Sequence, residues 1–151
     1  MKNQIKSNFG VFNNIEVCKL GGKALKDPFC IRETAENVTT AFKAPRNIVV
    51  VSAIGGITQM LISLFEAKKA DNKKEMHRIL RSFNRIHRKV VRNLFGRCDN
   101  YVACAKPFEL MFKKLNNLAY SENFDDAELY ASLLQFGELV NSNIFSMYLE
   151  M

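Results

Sequence analysis

The sequence predicts an α/β domain, and three observations support this fold class. Two short apolar runs, IEVCKL at 15–20 and NIVVVSA at 47–53, have the composition of β-strands. Each run is followed by a glycine pair and then by a segment with helical periodicity. Strands that alternate with helices predict a mostly parallel sheet with right-handed crossovers. A chain of 151 residues is long enough to form one substantial core.

The first strand and helix are defined by clear boundary residues. Residues 1–14 are polar and predict a loose start before the strand at 15–20. Asp27 and Pro28 predict the beginning of a helix, because proline is favoured in a first helical turn. Apolar residues at a spacing of three to four positions continue this helix over 29–43.

The second strand–helix unit is followed by a long basic helix. Four successive β-branched residues from Ile48 to Val51 predict a strand buried on both faces, and a helix is expected over 57–69. In the next segment, apolar residues lie on one helical face and basic residues largely elsewhere. The pair Asp99-Asn100 predicts a turn. The apolar face of the long helix consists of Met76, Ile79, Leu80, Phe83, Ile86, Val90, Leu94 and Phe95.

Two more helices complete the expected order of elements. The segment 107–120 is amphipathic and begins at a proline, and a polar break follows at 121–126. Asp125 or Asp126 can cap the last helix, which runs from Ala127 to near the C-terminus.

The net charge of +7 is concentrated in one segment. Residues 68–97 contain eleven Lys/Arg and two Asp/Glu. Nucleic acid must therefore be considered as a partner. However, these basic residues interleave with an apolar stripe and form no recognised binding motif, so a solvated helix face is the favoured interpretation and nucleic acid is not expected.

Composition also bears on localisation and metal binding. No apolar run approaches the roughly 20 residues of a membrane span. The polar N-terminus lacks the apolar region of a signal peptide. A cytoplasmic protein without a membrane partner is therefore expected. No cysteine pair has the spacing of a zinc site, so reduced, mostly buried thiols and no metal site are expected. The cysteines are Cys18, Cys30, Cys98 and Cys104.

The first candidate site is the stretch Lys19-Leu20-Gly21-Gly22, directly after the first strand. Backbone N–H groups freed by Gly21 and Gly22 can point at anionic oxygens, and Lys19 adds a positive charge for phosphate. A simple tight turn is the alternative, because the spacing is neither that of a P-loop nor GxGxxG.

Two further candidate sites follow later predicted elements. In VSAIGGIT, Ser52 and Thr58 supply hydroxyls beside a glycine pair and a helix N-terminus, which favours an anionic ligand. The alternative is that Thr58 only caps its helix and Ser52 bonds local backbone. In QFGE, Gly137 lies inside a helical pattern, where glycine needs a packing or ligand reason. Glu138 could meet a ligand ammonium, or it could simply face solvent.

The order of the three motifs resembles the aspartokinase branch of the amino-acid kinase family. The family motifs KFGGTS, VVSAxxGxT and SFGE correspond to KLGGKA, VVSAIGGIT and QFGE in this chain. The resemblance covers residues 15–151 and implies a carbamate-kinase-like, three-layer α/β/α fold. It also implies that the chain contains the N-terminal, amino-acid-binding lobe, with a mostly parallel sheet and a helical insertion at about 70–120.

The resemblance implies ATP-dependent phosphorylation of L-aspartate to 4-phospho-L-aspartate, the first step of lysine, threonine and methionine biosynthesis. Lys19 resembles the catalytic, phosphate-contacting lysine, and Gly21 and Gly22 resemble the loop that holds the ATP phosphates. Two positions, Ser52 and Thr58, match residues that contact aspartate. Glu138, the last residue of QFGE, matches the acidic residue that holds the amino group of aspartate. Mg²⁺ is expected together with ATP.

Three positions depart from the family motifs. Lys23 and Ala24 replace a threonine and a serine, and Gln135 replaces a serine. The part of the family that this chain resembles includes neither the nucleotide lobe nor the ACT regulatory domains. Little or no kinase activity is therefore expected from this chain alone. The alternative is a non-catalytic aspartate- or phosphate-binding module, or one partner of a split enzyme. An exposed sheet edge and apolar face are expected, with self-association or a complementary C-terminal lobe as the partner.

Overall fold

The computed structural model describes residues 10–12, 15–42, 46–96, 101–122 and 124–151 of the chain. Within these residues, three strands form one sheet and five helices pack beside it. The elements in chain order are β1 (Gly10–Phe12), β2 (Ile15–Leu20), α1 (Pro28–Ala41), β3 (Arg46–Val51), α2 (Ile57–Lys69), α3 (Lys73–Phe95), α4 (Tyr101–Tyr120) and α5 (Asp126–Leu149).

The sheet has the order β1-β2-β3 and is partly parallel. Strands β2 and β3 run parallel, with Ile15 opposite Arg46 and Leu20 opposite Val51, as the strand–helix–strand pattern predicts. Strand β1 pairs antiparallel with β2. Residues 10–12 were expected to be part of a loose start, and that expectation is wrong. Three residues are too few to show the alternation that identifies a strand.

The two faces of the sheet differ sharply in exposure. Cys18 and Leu20 are buried in the core shared with the helices. On the opposite face, Ile48 and Val50 remain 50% and 46% exposed. The prediction that β3 is buried on both faces is therefore wrong, because an apolar run does not reveal whether a second layer covers it. The expected exposed apolar face is confirmed, and self-association through it stays a prediction.

Helices α1 and α2 begin where the sequence predicts. Asp27 caps α1 by accepting a hydrogen bond from the backbone N–H of Cys30 at 2.9 Å, and Pro28 occupies the first turn. Helix α2 spans the predicted residues 57–69. Glycine and proline mark these boundaries by local backbone chemistry, which is why sequence alone locates them.

The helical insertion consists of α3 and α4. The apolar face predicted for α3 is largely buried. Helix α4 begins at Tyr101, and Pro107 lies inside it, so the prediction that this helix starts at the proline is wrong. Proline disfavours a helix interior but does not exclude it, so the proline alone does not locate the start of this helix. The turn predicted at Asp99-Asn100 lies outside the described residues.

The last helix, α5, starts after the expected polar break. Of the two candidate caps, Asp125 is the one used, and it accepts a hydrogen bond from the N–H of Glu128 at 2.9 Å. In the described part of the chain, Cys18 and Cys30 are free thiols. Cys98 and the side chain of Cys104 lie outside it. None of the described helices is long and apolar enough to cross a membrane.

His87 is a fully buried polar residue in the packing between α3 and α4. Its ring lies 4.2 Å from that of Phe83 and 6.3 Å from that of Phe112, measured between centroids. Nδ1 lies 2.9 Å from the carbonyl oxygen of Phe83, and Nε2 has no hydrogen-bond partner among the described residues. Burial disfavours the charged ring and lowers the pKa of His87 to about 4.

We expect this histidine to make the fold sensitive to mild acid. The unfolded chain binds a proton at His87 near pH 6.5, whereas the folded chain binds it only near pH 4. Stability linked to His87 is therefore fully present above pH 6.5 and is lost as the pH falls from 6.5 to 4. Linkage sets this loss at about 3 kcal/mol. Urea unfolding between pH 7 and pH 4 measures it.

Two leucine substitutions isolate the effect. His87→Leu should remove most of the stability loss between pH 6.5 and 4. His77→Leu should leave it unchanged, because His77 is exposed on the same helix. An equal pH dependence in the His87→Leu variant and the unsubstituted protein would contradict the assignment.

Candidate functional site

The three sequence motifs meet around a single buried residue, Ala53. A Cβ atom added at Gly22 would lie 2.8 Å from the carbonyl oxygen of Ala53. A Cβ atom added at Gly137 would lie 2.8 Å from the Cβ of Ala53 and 3.1 Å from Cγ2 of Ile57. Both distances are too short for real contacts, so glycine is required at both positions. Motifs that are far apart in the sequence are thereby held in direct contact.

The loop after β2 is a tight turn tied to the first helix. The backbone N–H of Ala24 donates to the carbonyl of Gly21 at 2.9 Å, and Oγ1 of Thr34 donates to the carbonyl of Ala24 at 2.8 Å. Leu25 anchors the loop in the core. A Cβ atom at Gly21 would meet nothing within 4 Å. The loop therefore has the geometry of the tight turn that was the alternative to a phosphate site. The open space at Gly21 nevertheless leaves its backbone accessible to a ligand.

The second loop leads directly into the N-terminus of α2, and this helix end is uncapped. Gly56 occupies the cap position in the left-handed conformation, with φ of 85°, and provides no side-chain hydrogen bond. The first turn of α2 contains no acidic residue. Thr58 lies inside the helix, so the alternative in which Thr58 caps it is wrong. The N–H of Ile57 donates to the carbonyl of Ile54 at 3.0 Å. The positive end of the α2 dipole and the N–H groups that follow Ile57 in the first turn remain available to an anion.

Asn141 fixes the end of β3 from the side of α5. It is fully buried, and its Nδ2 donates to the carbonyl of Ser52 at 2.5 Å. Its Oδ1 is buried without a partner in the described part of the chain. Sequence reasoning missed this residue. The available signal was a polar side chain one helical turn after Gly137, on the otherwise apolar face of the helix.

A surface depression of about 570 Å³ lies between α5, the end of β3 and the start of α2. It brings together two predicted site residues, Thr58 and Glu138. Glu138 is partly buried and therefore does not simply face solvent. The lining consists of Val51, Thr58, Leu134, Gln135, Glu138, Leu139 and Ser142.

The remaining predicted site residues lie around this depression and do not line it. Ser52 adjoins Val51 in the chain and is held through its carbonyl. Gly22 packs against Ala53. Lys19 is exposed, whereas its neighbours on either side, Cys18 and Leu20, point into the core. Its side chain therefore lies on the open face of the sheet, away from Glu138.

The electrostatics of the depression favour a ligand with both signs of charge. Glu138 supplies a carboxylate, and no Lys, Arg or His lies among the lining residues. Positive potential comes from the uncapped N-terminus of α2 at Thr58. Polar hydrogen-bonding groups of Gln135 and Ser142 complete the lining. A small zwitterion such as an amino acid matches this pattern.

The fold and the site define an α/β domain with a surface depression at the carboxyl end of a parallel strand. Residues 14–151 match the model of the amino acid kinase family, and the chain belongs to that family. No curated protein matches the chain.

Two crystal structures of E. coli aspartokinase III are similar to the chain. One is a complex with aspartate and ADP in the R-state, and the other is a complex with lysine and aspartate in the T-state. Each match has a TM-score of 0.73 and 23% sequence identity. Each covers 90% of this chain and 28% of the aspartokinase III chain. This likeness confirms the predicted amino-acid-kinase fold.

We expect Gly137→Ala to destabilise the protein although alanine is the better helix former. The added methyl group overlaps with Ala53, which cannot move without its backbone. Overpacking costs about 1–3 kcal/mol and exceeds the gain of about 1 kcal/mol in helix propensity. The expected net loss in the free energy of unfolding is measured by urea denaturation.

A double-mutant cycle tests the cause of this loss. Ala53→Gly in the Gly137→Ala background removes the overlapping atom and should recover part of the stability. Gly55→Ala is the matched control, since a Cβ there meets nothing within 4 Å. Additive effects of the two substitutions would contradict direct contact between these positions.

Proposed function

We propose that the chain provides the amino-acid-binding part of an aspartate kinase, which transfers a phosphoryl group from ATP to the β-carboxylate of L-aspartate. Family membership and the similarity to aspartokinase III support a kinase-like function. The observation that carries the proposal for the substrate is the shared depression of Thr58 and Glu138. These residues come from two distant motifs and supply complementary chemistry in one place.

Each end of an amino acid has a matching group in this depression. The carboxylate of Glu138 would pair with the ammonium group of the substrate. The N–H groups at the start of α2, together with the hydroxyl of Thr58, would donate hydrogen bonds to a substrate carboxylate. In this proposal Ser52 also contacts aspartate, and Asn141 holds the strand end on which Ser52 lies.

The phosphate-binding part of the proposal rests on the adjacent glycine loop. Gly22 packs against Ala53 beside the substrate depression, and Gly21 leaves open space next to its backbone. Phosphoryl transfer depends mainly on positioning and on neutralisation of the phosphate oxygens. Backbone N–H groups at Gly21 and Gly22 would position the phosphates of ATP. Lys19, as the catalytic residue, would neutralise their charge from the open face of the sheet.

The described residues do not form a metal site of their own. No group of three or more His, Cys, Asp or Glu side chains in this part of the chain could hold a metal ion. Mg²⁺ commonly binds through substrate phosphates with few protein ligands, so the ion would accompany ATP. No step of the proposal depends on a protein-bound metal.

The proposed domain assignment places residues 15–151 in the amino-acid-binding lobe, with the helical insertion at about 70–120. The chain spans 28% of the length of aspartokinase III, whose solved complexes contain aspartate with ADP or with lysine. A complete phosphotransfer site would include a nucleotide lobe as a complementary partner. The alternative is a module that binds aspartate or phosphate without catalysis.

We expect L-aspartate to bind and Glu138→Gln to weaken this binding at least tenfold. The substitution removes the charge that pairs with the ammonium group while it retains the shape of the side chain. Isothermal titration calorimetry of the purified chain measures the affinity. Glu36→Gln serves as the matched control, because Glu36 is exposed on α1.

A ligand without an amino group isolates the contribution of the pairing between Glu138 and the substrate ammonium group. Succinate lacks the amino group of aspartate, and we expect it to bind weakly and equally to the unsubstituted protein and to Glu138→Gln. Absence of aspartate binding at millimolar concentration, or equal loss in the Glu36→Gln variant, would contradict the proposed site.

We expect Lys19→Met to weaken ATP binding while leaving the aspartate affinity unchanged. The substitution removes a positive charge near the glycine loop but does not alter the depression of Glu138. Lys26→Met removes an exposed lysine farther along the same loop and should have little effect. Titration with Mg²⁺ and ATP, followed by calorimetry, measures the difference. Equal ATP affinities in the two variants would argue against a phosphate role for Lys19.

A further inference from the structure

Helix α3 carries six cations in a straight row on its exposed side. Consecutive members are three or four residues apart, which places them within an arc of about 80° on the helix circumference. All six side chains are exposed. We call this set the cationic row, and its members are Lys74, Arg78, Arg81, Arg85, Lys89 and Arg92.

The apolar stripe of the same helix is separated from the cationic row. Met76, Ile79, Phe83, Val90 and other apolar residues of α3 are buried in the core. None of the large exposed apolar side chains in the described part of the chain belongs to this helix. The basic and apolar residues that interleave along the sequence therefore lie on opposite faces of α3. Their interleaving is no longer an argument against nucleic acid.

Most of the charge in the cationic row is uncompensated. Arg78 pairs with Glu75, and no other member has an acidic partner among the described residues. Like charges three or four residues apart destabilise a helix by a few tenths of a kcal/mol per pair. The helix therefore carries a repulsion that an anionic ligand would relieve.

The length and chemistry of the cationic row fit a linear polyanion. From Lys74 to Arg92 the row extends for about 27 Å, with one cation at each helical turn. Four of its six members are arginines, whose planar guanidinium groups bind phosphate with two hydrogen bonds. Its first four members also line a surface depression of about 720 Å³. We propose that the cationic row binds the phosphate backbone of a nucleic acid.

Other anionic partners fit the same surface less well. An amphipathic helix that lies in a membrane surface buries an apolar face beside its cations, and the apolar face of α3 is already buried in the core. A specific acidic protein partner typically buries apolar anchor residues, which this helix face lacks. The cationic row also has no aromatic side chain on which bases could stack, so binding should be independent of base sequence.

Fluorescence anisotropy with a labelled 20-base-pair DNA duplex tests this proposal. The triple variant Arg81→Gln, Arg85→Gln, Lys89→Gln should bind at least tenfold more weakly at about 100 mM salt. The slope of the logarithm of affinity against the logarithm of salt should fall by about 2.7, or 0.9 for each lost phosphate contact. The variant should remain folded, because glutamine favours helix and charge repulsion is reduced.

A second triple variant controls for net charge. Lys106→Gln, Lys113→Gln, Lys114→Gln removes the same charge from exposed positions on α4 and should weaken binding less than threefold. Three results would overturn the proposal: no duplex binding by the unsubstituted protein, equal weakening in both triple variants, or competition by polyglutamate as effective as that by unlabelled duplex at equal charge.

Discussion

The close contacts on both sides of Ala53 organise the rest of the structure. On one side, the loop after β2 approaches so closely that only glycine fits at position 22. On the other side, α5 approaches so closely that only glycine fits at position 137. Because Ala53 links β3 to α2, these two contacts fix the strand end, the helix start and the last helix relative to one another. The pocket of Thr58 and Glu138 exists only as a result of that arrangement.

The same region lacks two features that usually stabilise a fold, a capped helix start and a partner for every buried polar atom. Helix α2 begins without a side-chain cap or an acidic first turn. Either feature would stabilise the helix by about 1 kcal/mol. The Oδ1 of Asn141 is buried without a partner among the described residues. Such departures from local stability are typical of sites that bind ligands. The cationic row of α3 is a similar departure, located on a different surface.

The sequence predicts much of the local structure but little of how the three motifs come together around Ala53. Strand 15–20 and helix 57–69 were located correctly, because glycine pairs and apolar periodicity mark their boundaries. The predicted start of α4 at Pro107 is wrong, because a proline can lie inside a helix as well as in its first turn. The composition of β3 wrongly predicted that Ile48 and Val50 are buried, because composition does not report on a covering layer. The role of Ala53 has no local signal, because it depends on contacts between distant segments. Asn141 has only a weak one, its place one helical turn after Gly137, and its partner Ser52 lies in a distant segment.

The central claim is that the second and third motifs form one amino-acid-binding pocket, with Thr58 from one and Glu138 from the other, and intermolecular nuclear Overhauser effects test it most directly. The account predicts contacts from the protons of bound L-aspartate to both the methyl group of Thr58 and the side-chain protons of Glu138. Contacts to only one of these residues, or to residues outside the depression, would contradict it.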